Sequence, residues 1–307
     1  MSIETDLLVD RRRLKRRLSF WRGFTVLAVL AAGLIGFARF GGIERDHIAR
    51  ITVAGLITED RDLARKIRAL ADDRHVRAVL LDIDSPGGSV AGGESLHDAI
   101  AAVAERKPVV AVMGALGASA GYMIAVPAAR IFARGATLTG SIGVLLESAE
   151  VGGLLSRLGV SSTTLVSGPL KDQPSLTQPL SPQGREVLQA LVMNMYDQFV
   201  AMVAAGRHMD PARVRELGDG RAYTGQQAVH NGLIDAIGGE QEARAWLAAH
   251  GVPQRLEVED VETRSLAART LGASLGPLLQ SAANMISFQG VRLDGAWAIW
   301  QPAESGE

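Results

Sequence analysis

The segment Val109-Val-Ala-Val-Met-Gly-Ala-Leu-Gly-Ala-Ser-Ala-Gly-Tyr-Met-Ile-Ala125 joins an apolar run to a serine, Ser119, that stands among small residues. Its first five residues predict a buried β-strand, and the run from Tyr122 to Val126 predicts a following helix. Small neighbours would let backbone amides approach a ligand, and the first amides of a helix have no partner within it. Ser119 is therefore either a nucleophile or an ordinary helix N-cap in a packing turn.

A nucleophilic serine needs a base that takes its proton. Histidine is the commonest such base. One histidine of this chain, His47, lies just beyond an apolar segment, and the others lie in helix-like or polar surface contexts. The histidines are His47, His75, His97, His208, His230 and His250. None lies beside a small-residue turn, so we do not expect a histidine base.

Lysine is the alternative base, because arginine stays protonated. Of the 32 basic residues only four are lysines. Lys15 lies in a basic cluster, Lys66 on the polar face of a helix-like stretch, and Lys107 just before Pro108. Lys171 instead occupies a turn-rich loop after a predicted strand, where it is either a base aimed into a cleft or a solvated lysine paired with Asp172.

A second strand-to-turn-to-helix unit runs through Val79-Leu-Leu-Asp-Ile-Asp-Ser-Pro-Gly-Gly-Ser-Val90, and a helix is predicted from about Gly92 to Arg106. Paired glycines let backbone amides approach a ligand without an intervening side chain. The turn is thus either part of an oxyanion hole or an ordinary strand-to-helix connection.

Five segments in this order resemble the signal peptide peptidase A family, which comprises Ser-Lys serine proteases related in fold to the Clp protease and the crotonases. The resemblance covers roughly Ile51 to Leu247. The segments are Ile83-Asp-Ser-Pro-Gly-Gly88, Gly117-Ala-Ser-Ala-Gly-Tyr-Met-Ile-Ala125, Thr139-Gly-Ser-Ile-Gly-Val144, Ser167-Gly-Pro-Leu-Lys-Asp172 and Gly220-Arg-Ala-Tyr-Thr-Gly-Gln-Gln-Ala228.

The resemblance implies that Ser119 is the nucleophile, that Lys171 is the general base, and that Ser141 hydrogen-bonds to the lysine and orients it. Such a peptidase acts through an acyl-enzyme and needs no metal or cofactor. The chain also has no cysteine and no histidine-glutamate zinc motif, which disfavours a metalloprotease.

The resemblance further implies an oxyanion hole formed by the amide of Gly87, or of Gly88, together with that of Ala120. One departure from the family pattern is Gly117-Ala118, where many members carry two glycines before the serine. Alanine is small enough to preserve the close packing of the turn.

The N-terminal region predicts a membrane anchor. The basic cluster Arg11 to Arg17 precedes sixteen uncharged residues, Gly23 to Ala38, and the flanking aromatic and glycine residues extend the span to 20–42. The basic residues predict that the N-terminus lies in the cytoplasm and the catalytic part across the membrane. The resemblance implies that this is the bacterial inner membrane, with the catalytic part in the periplasm. A cleaved signal peptide ending at Ala38 is the alternative.

These features divide the chain into a cytoplasmic basic segment (1–19), a transmembrane anchor (20–42), a peptidase domain (43–252) and a C-terminal extension (253–307). Alternating strand-like and helical runs predict an α/β fold with a mainly parallel sheet, and the resemblance specifies the Clp protease/crotonase arrangement. The predicted strands are 50–58, 77–83, 109–113 and 162–166, and the clearest helices are 60–71, 92–106 and 182–207.

The partners follow from composition and from the resemblance. The formal net charge is −1 and the basic excess lies at the extreme N-terminus, so nucleic acid is not an expected partner. The amphipathic helix predicted over Pro182 to Arg207 packs on its own core or on a partner. The resemblance implies an octameric ring in which neighbouring subunits supply the serine and the lysine of one site.

The C-terminal extension is the least informative part. The apolar stretch Leu271 to Ile286 predicts a packed helix followed by a tail, while a membrane-surface segment and a self-ligand of the active-site groove remain alternatives. Trp297 and Trp300 lie near its end.

The resemblance points to remnant signal peptides and similar apolar peptides as substrates. Two other classes stay open at this point. A crotonase-like acyl-CoA enzyme would share the fold and the oxyanion hole, and a non-catalytic membrane scaffold would need neither Ser119 nor Lys171.

Overall fold

The computed structural model describes residues 20–30, 45–261 and 297–299. The chain divides into two compact units, Met1–Arg45 and Asp46–Glu307. In the first unit, α1 (Phe20–Leu30) is a short apolar helix with exposed side chains. The remainder of the predicted anchor, 31–42, lies outside the described residues, as do the predicted helix at 271–286 and Trp300.

The second unit is built on an eight-stranded, mainly parallel sheet. Its central order is β7-β6-β4-β2-β1-β9, and β5 pairs with both β4 and β8. The strands are β1 (His47–Ala54), β2 (Val76–Ser85), β4 (Val109–Ala118), β5 (Arg130–Ala133), β6 (Leu138–Gly140), β7 (Ala222–Thr224), β8 (Ala236–Ile237) and β9 (Glu257–Asp260). Two further strands, β3 (Gly87–Ser89) and β10 (Trp297–Ile299), pair with each other.

The helices of this unit cover the sheet. They are α2 (Arg61–Ala69), α3 (Val90–Ala104), α4 (Ala120–Ala125), α5 (Gly152–Arg157), α6 (Pro182–Arg207), α7 (Pro211–Leu217), α8 (Gly225–His230) and α9 (Glu240–Ala249). The predicted helices over 60–71, 92–106 and 182–207 correspond to α2, α3 and α6. Polar residues begin all three, because the side chains of Asp60, Ser89 and Ser181 each accept a backbone N–H of the first turn.

The middle of β2, residues 78–81, and the start of β4, residues 109–113, are continuous apolar runs because both faces of the sheet are covered there. Successive residues of β2 alternate between two buried clusters: Val79 and Leu81 pack with α2, α3 and α4, whereas Ala78 and Leu80 pack on the opposite face with α9. This two-sided burial accounts for the strand predictions that are confirmed at β1, β2 and β4.

The predicted strand at 162–166 is wrong. These residues form no strand and are exposed, with Leu165 at 94% of its accessible surface. Their β-branched residues carry strand propensity, but propensity reflects fit to a half-buried pleated surface, and no described strand pairs with them.

Helix α6 has two different halves. Its C-terminal half is buried in the core through Phe199, Val200 and Val203, as expected for a helix packed on its own domain. Its N-terminal half leaves apolar side chains, including Leu191 and Met193, exposed. Among the described helices, α6 alone has the length and apolar composition of a membrane span, a property it shares with core helices.

A partly buried ion pair fixes the C-terminal end of α6. The two guanidinium nitrogens Nη1 and Nη2 of Arg207 donate to the Asp235 carboxylate at 3.0 and 2.8 Å. The same carboxylate accepts the Ile131 N–H at the start of β5, at 2.7 Å. The side chains are only 9% and 21% exposed, so this pair ties α6 to the sheet in a largely desolvated setting.

We expect Asp235→Ala to destabilise the protein by about 3 kcal/mol, because it leaves a buried guanidinium and a buried N–H without their acceptor. The matched control is Asp197→Ala, which removes an ion pair between Asp197 of α6 and Arg215 that is about half exposed. The control should change stability by less than about 1 kcal/mol. Urea denaturation followed by circular dichroism measures both, and equal effects would contradict the assignment.

Candidate active site

Ser119 lies where β4 ends and α4 begins, in the strand-turn-helix unit that the sequence predicts. Its backbone has φ 56° and ψ −119°, a region that non-glycine residues rarely adopt. Its N–H donates to the Gly140 carbonyl at 2.8 Å, and its carbonyl accepts the Met123 N–H at 2.8 Å. Strain of this kind persists only where the surrounding structure enforces it, and it is frequent at functional sites.

The Ser119 hydroxyl has no partner. Its Oγ is buried and makes no hydrogen bond to any described residue. Although Ser119 stands at the N-cap of α4, its side chain does not cap the helix. By contrast, the side chains of Ser89 and Ser181 do cap their helices. The ordinary N-cap interpretation of Ser119 does not hold, because its hydroxyl accepts no N–H of the first turn.

Ser141 lies beside Ser119 through strand pairing. Ala118 is opposite Gly140 in the parallel β4–β6 ladder, so each serine follows directly after a paired residue. Ser141 also has a positive φ, 48°. The structure therefore brings Ser119 and Ser141 together at the carboxyl edge of the sheet.

The Gly220 motif supports Ser141. The Ser141 Oγ donates to the Gly220 carbonyl at 3.0 Å, and the Ser141 N–H donates to the Arg221 carbonyl at 3.0 Å. The sequence did not predict that this later motif would accept hydrogen bonds from Ser141. A cleft of about 310 Å³ opens here, lined by Ser141, the following residues and the exposed face of α6.

The Ser-Pro-Gly-Gly turn lies against the start of α4. A Cβ added to Gly121 would come within 2.8 Å of the Ser85 carbonyl oxygen, so only glycine allows this approach. Ser85 itself is opposite Gly117, two residues before Ser119. The Ser-Pro-Gly-Gly turn, residues 85–88, is called the glycine loop below. This loop, Ser119 and the free amides of α4 are thus adjacent.

The two glycines of the turn have different roles. The Gly87 N–H donates to the buried Ser85 Oγ at 3.1 Å, and the Ser85 hydroxyl donates to the Gly55 carbonyl at 2.7 Å. The Gly87 amide is therefore already engaged. Gly88 lies so close to Ile57 that a Cβ would overlap the Ile57 carbonyl oxygen, at 1.8 Å.

Ala120 supplies the other predicted donor. As the first residue of α4, its N–H has no acceptor within the helix, and the helix N-terminus carries a partial positive charge. Ser85 was not singled out from the sequence. The available signal was a serine placed directly before Pro-Gly-Gly at the end of a buried strand.

Lys171 makes no hydrogen bond to the Ser119 hydroxyl within one chain. It ends a turn in which its N–H donates to the Gly168 carbonyl at 3.1 Å, and its side chain is exposed. Over residues 45–261, no hydrogen bond joins its Nζ to Ser119 or Ser141, and no ion pair joins it to Asp172. The Asp172 carboxylate instead accepts the Ser175 hydroxyl at 3.1 Å.

Lys107 is remote from Ser119. Its Nζ donates to the Asp73 carbonyl, and burial lowers the pKa of its ammonium group. Lys107 precedes β4 and Ser119 follows it, so the ten-residue strand separates them by roughly 33 Å. Lys107 therefore cannot act on the Ser119 hydroxyl of its own chain.

Two family models match the chain: peptidase family S49 over residues 101–252 and Clp protease over residues 49–139. Among the relatives, a Synechocystis sp. protein named as a protease is 36% identical over 266 residues, covering 86% of this chain and 95% of that protein. A protein of Enterococcus faecium named as signal peptide peptidase SppA is 36% identical over 216 residues, covering 66% of this chain and 63% of that protein. Protease 4 of Salmonella typhi is 39% identical over 183 residues, which are 59% of this chain and 29% of that protein.

Solved structures are similar at lower identity. A mutant of the 1510-N membrane-bound stomatin-specific protease in complex with a substrate peptide is 16% identical with a TM-score of 0.49, covering 76% of this chain and 99% of that chain. A mutant of ClpP1 from Listeria monocytogenes is 16% identical with a TM-score of 0.41, covering 63% of this chain and 92% of that chain.

The matched range of the S49 model, residues 101–252, contains Ser119, Ser141 and Lys171. The chain belongs to peptidase family S49, the signal peptide peptidase A family, and is a serine-type peptidase with a Clp protease-like α/β fold.

Proposed function

We propose that this peptidase is a membrane-anchored endopeptidase that cleaves remnant signal peptides and similar apolar peptides, with Ser119 as nucleophile and Lys171 as general base. The observation that carries the proposal is the state of Ser119. It has a strained backbone and a buried hydroxyl without a partner, next to free helical amides and a glycine loop. A hydroxyl in this state is available to a base and to a substrate carbonyl.

The proposed reaction proceeds through an acyl-enzyme. The neutral Lys171 amine takes the proton of the Ser119 hydroxyl as Oγ attacks the substrate carbonyl carbon. The ammonium then gives that proton to the leaving amine as the peptide bond breaks. Water, deprotonated by the same lysine, attacks the ester and releases the carboxylate product while Ser119 recovers its proton.

Gly88 and Ala120 are the proposed oxyanion donors. The Gly87 amide is occupied by Ser85, whereas Gly88 presents its amide to the opposite edge of the loop. The Ser141 hydroxyl is the proposed anchor for the lysine amine, which would compete with or replace its bond to the Gly220 carbonyl. These donors would stabilise negative charge as it develops on the substrate oxygen.

We propose that the lysine comes from a neighbouring subunit of a homo-oligomeric ring. Two observations support this arrangement. Lys171 lies on an exposed loop, and no hydrogen bond joins it to Ser119 of its own chain. The segment of the chain that precedes Lys171 also exposes large apolar side chains, among them Leu154, Leu158 and Leu165, which a partner would cover.

Membrane anchoring would set the substrate class. The basic cluster before the apolar N-terminal segment supports a single-pass anchor with its N-terminus in the cytoplasm and the peptidase unit in the periplasm. A peptidase held beside the bilayer would encounter the apolar peptides that remain after signal peptide removal. Extended peptides of this kind can bind by adding a strand to the glycine loop.

Cleavage of a synthetic signal peptide tests the base. We expect Lys171→Met to lower kcat at least about 10³-fold, because no other group can take the serine proton. Lys171→Arg should be equally inactive, since arginine keeps the charge but does not accept a proton. Lys66→Met is the matched control and should retain activity. A Lys171→Arg protein with normal kcat would contradict the assignment of Lys171 as the general base.

Complementation tests the shared site. Ser119→Ala and Lys171→Ala proteins, each inactive alone, should recover part of the peptidase activity when they are co-expressed and assemble together. Activity is measured on the purified mixed oligomer with the same peptide. If mixed oligomers form, as tags on both chains would show, and no activity returns, then one subunit supplies both residues.

Ser85→Ala tests the positioning of the glycine loop. Loss of the hydroxyl frees the Gly87 N–H and the Gly55 carbonyl, so we expect kcat to fall by roughly 10-fold with KM little changed, as for a displaced oxyanion donor. The control is Ser89→Ala, which removes the α3 cap, costs about 1 kcal/mol of stability and should leave kcat intact. Equal kcat values for the two variants would show that Ser85 has no such role.

A further inference from the structure

Tyr122 is the only residue of α4 whose side chain carries a hydroxyl. All six residues of this helix are buried, and a helix so short is not stable without tertiary contacts. The helix begins directly after Ser119, whose carbonyl accepts the Met123 N–H at 2.8 Å. The orientation of Ser119 therefore depends on what holds α4 in place.

The Tyr122 hydroxyl bonds to a carbonyl 111 positions later in the chain, where it donates to Leu233 at 2.7 Å. Both residues are fully buried, and burial raises the pKa of the Tyr122 phenol, so that it stays a protonated donor. Apolar packing has no preferred direction, whereas a hydrogen bond of this length constrains both distance and angle. The bond therefore restrains α4 against sliding or turning within the core.

The segment that accepts this bond is itself held on several sides. The Gly232 carbonyl accepts the Arg207 Nε–H at 3.1 Å, and the Leu233 N–H donates to the Ala228 carbonyl at 2.8 Å. The Asp235 carboxylate, two residues further on, binds the Arg207 guanidinium and the start of β5. Helix α4 is thus tied to the same segment as the C-terminal end of α6.

The backbone of α4 also meets close neighbours near both of its ends. A Cβ on Gly121 would lie 2.8 Å from the Ser85 carbonyl oxygen, and a Cβ on Gly206 of α6 would lie 2.2 Å from the Val126 Cγ1. Close packing of this kind transmits displacements rather than absorbing them. A shift of α4 would therefore move the nucleophile candidate relative to the glycine loop.

We propose that Tyr122 is a positioning residue for the peptidase reaction. Its hydroxyl, bound to the Leu233 carbonyl, holds α4 so that the Ser119 Oγ and the Ala120 amide meet the substrate carbonyl in the reactive geometry. The inference rests on the proposed function, because it takes Ser119 as the nucleophile. Tyr122 acts through α4 and takes no part in proton transfer, since its hydroxyl is buried and engaged with a backbone carbonyl.

Tyr122→Phe tests this role, because it keeps the ring and removes only the hydroxyl. The matched control is Tyr223→Phe, which removes a bond of the same kind, from a buried tyrosine hydroxyl to the Leu217 carbonyl at 2.8 Å. The full-length wild type and both variants are assayed with a synthetic signal peptide for kcat and KM. A peptidyl phosphonate measures the rate of covalent labelling at Ser119, and circular dichroism checks that each protein is folded at the assay temperature.

We expect kcat of the Tyr122→Phe protein to fall about 10-fold or more with KM changed less than about twofold, because the peptide contacts remain while the reacting atoms are displaced. Phosphonate labelling of Ser119 should slow by a similar factor. The Tyr223→Phe control should stay within about twofold of the wild type in both measurements. The acid limb of the kcat–pH profile should lie at the same pH in all three proteins, since the general base is untouched.

Three results would overturn the inference. Equal kcat values for the two phenylalanine variants would show that the Tyr122 hydroxyl has only a structural role. A change confined to KM would assign the hydroxyl to peptide binding, and loss of the acid limb would make it a proton-transfer group. If the phosphonate does not label Ser119 of the wild type, the proposed function itself fails, and this inference fails with it.

Discussion

The backbone hydrogen bond from the Ser119 N–H to the Gly140 carbonyl joins the two turns on which the proposed site depends. It extends the β4–β6 ladder by one step beyond the pair Ala118 and Gly140. Both strands then enter turns in which Ser119 and Ser141 have positive φ angles. Each positive φ costs on the order of 1–3 kcal/mol, and a buried hydroxyl without a partner costs about as much. Against a net stability of about 5–15 kcal/mol, these are large local costs.

The rest of the unit offsets these costs by fixing the turns from several sides. Gly121 lets α4 approach the Ser85 carbonyl, the Gly220 segment accepts both the hydroxyl and the amide of Ser141, and the Ser85 hydroxyl holds the Gly87 amide. Buried clusters cover both faces of the sheet that carries these turns. The strained serine is consequently the product of long-range pairing rather than of its own local sequence.

Local sequence predicted much of the fold and part of the site. Two-sided burial gives β2 and β4 continuous apolar runs at 78–81 and 109–113, and side-chain caps begin α2, α3 and α6. These elements can therefore be predicted from the sequence. The stretch 162–166 was misjudged because strand formation needs a partner edge, which propensity does not report. The link from Ser141 to Gly220 and the ion pair of Arg207 with Asp235 join residues 79 and 28 positions apart, and no local pattern encodes such contacts. The role of Lys171 stays a prediction, since no hydrogen bond joins it to Ser119 in the described residues.

The most direct test of the account is the covalent capture of Ser119. Full-length protein is incubated with an irreversible peptidyl phosphonate that reacts with activated serines, and the adduct is located by peptide mass spectrometry. The account predicts one probe per chain, on the peptide that carries Ser119, and none on the Ser119→Ala protein. Equal labelling of the two proteins, or an adduct on another serine of the wild type, would contradict it.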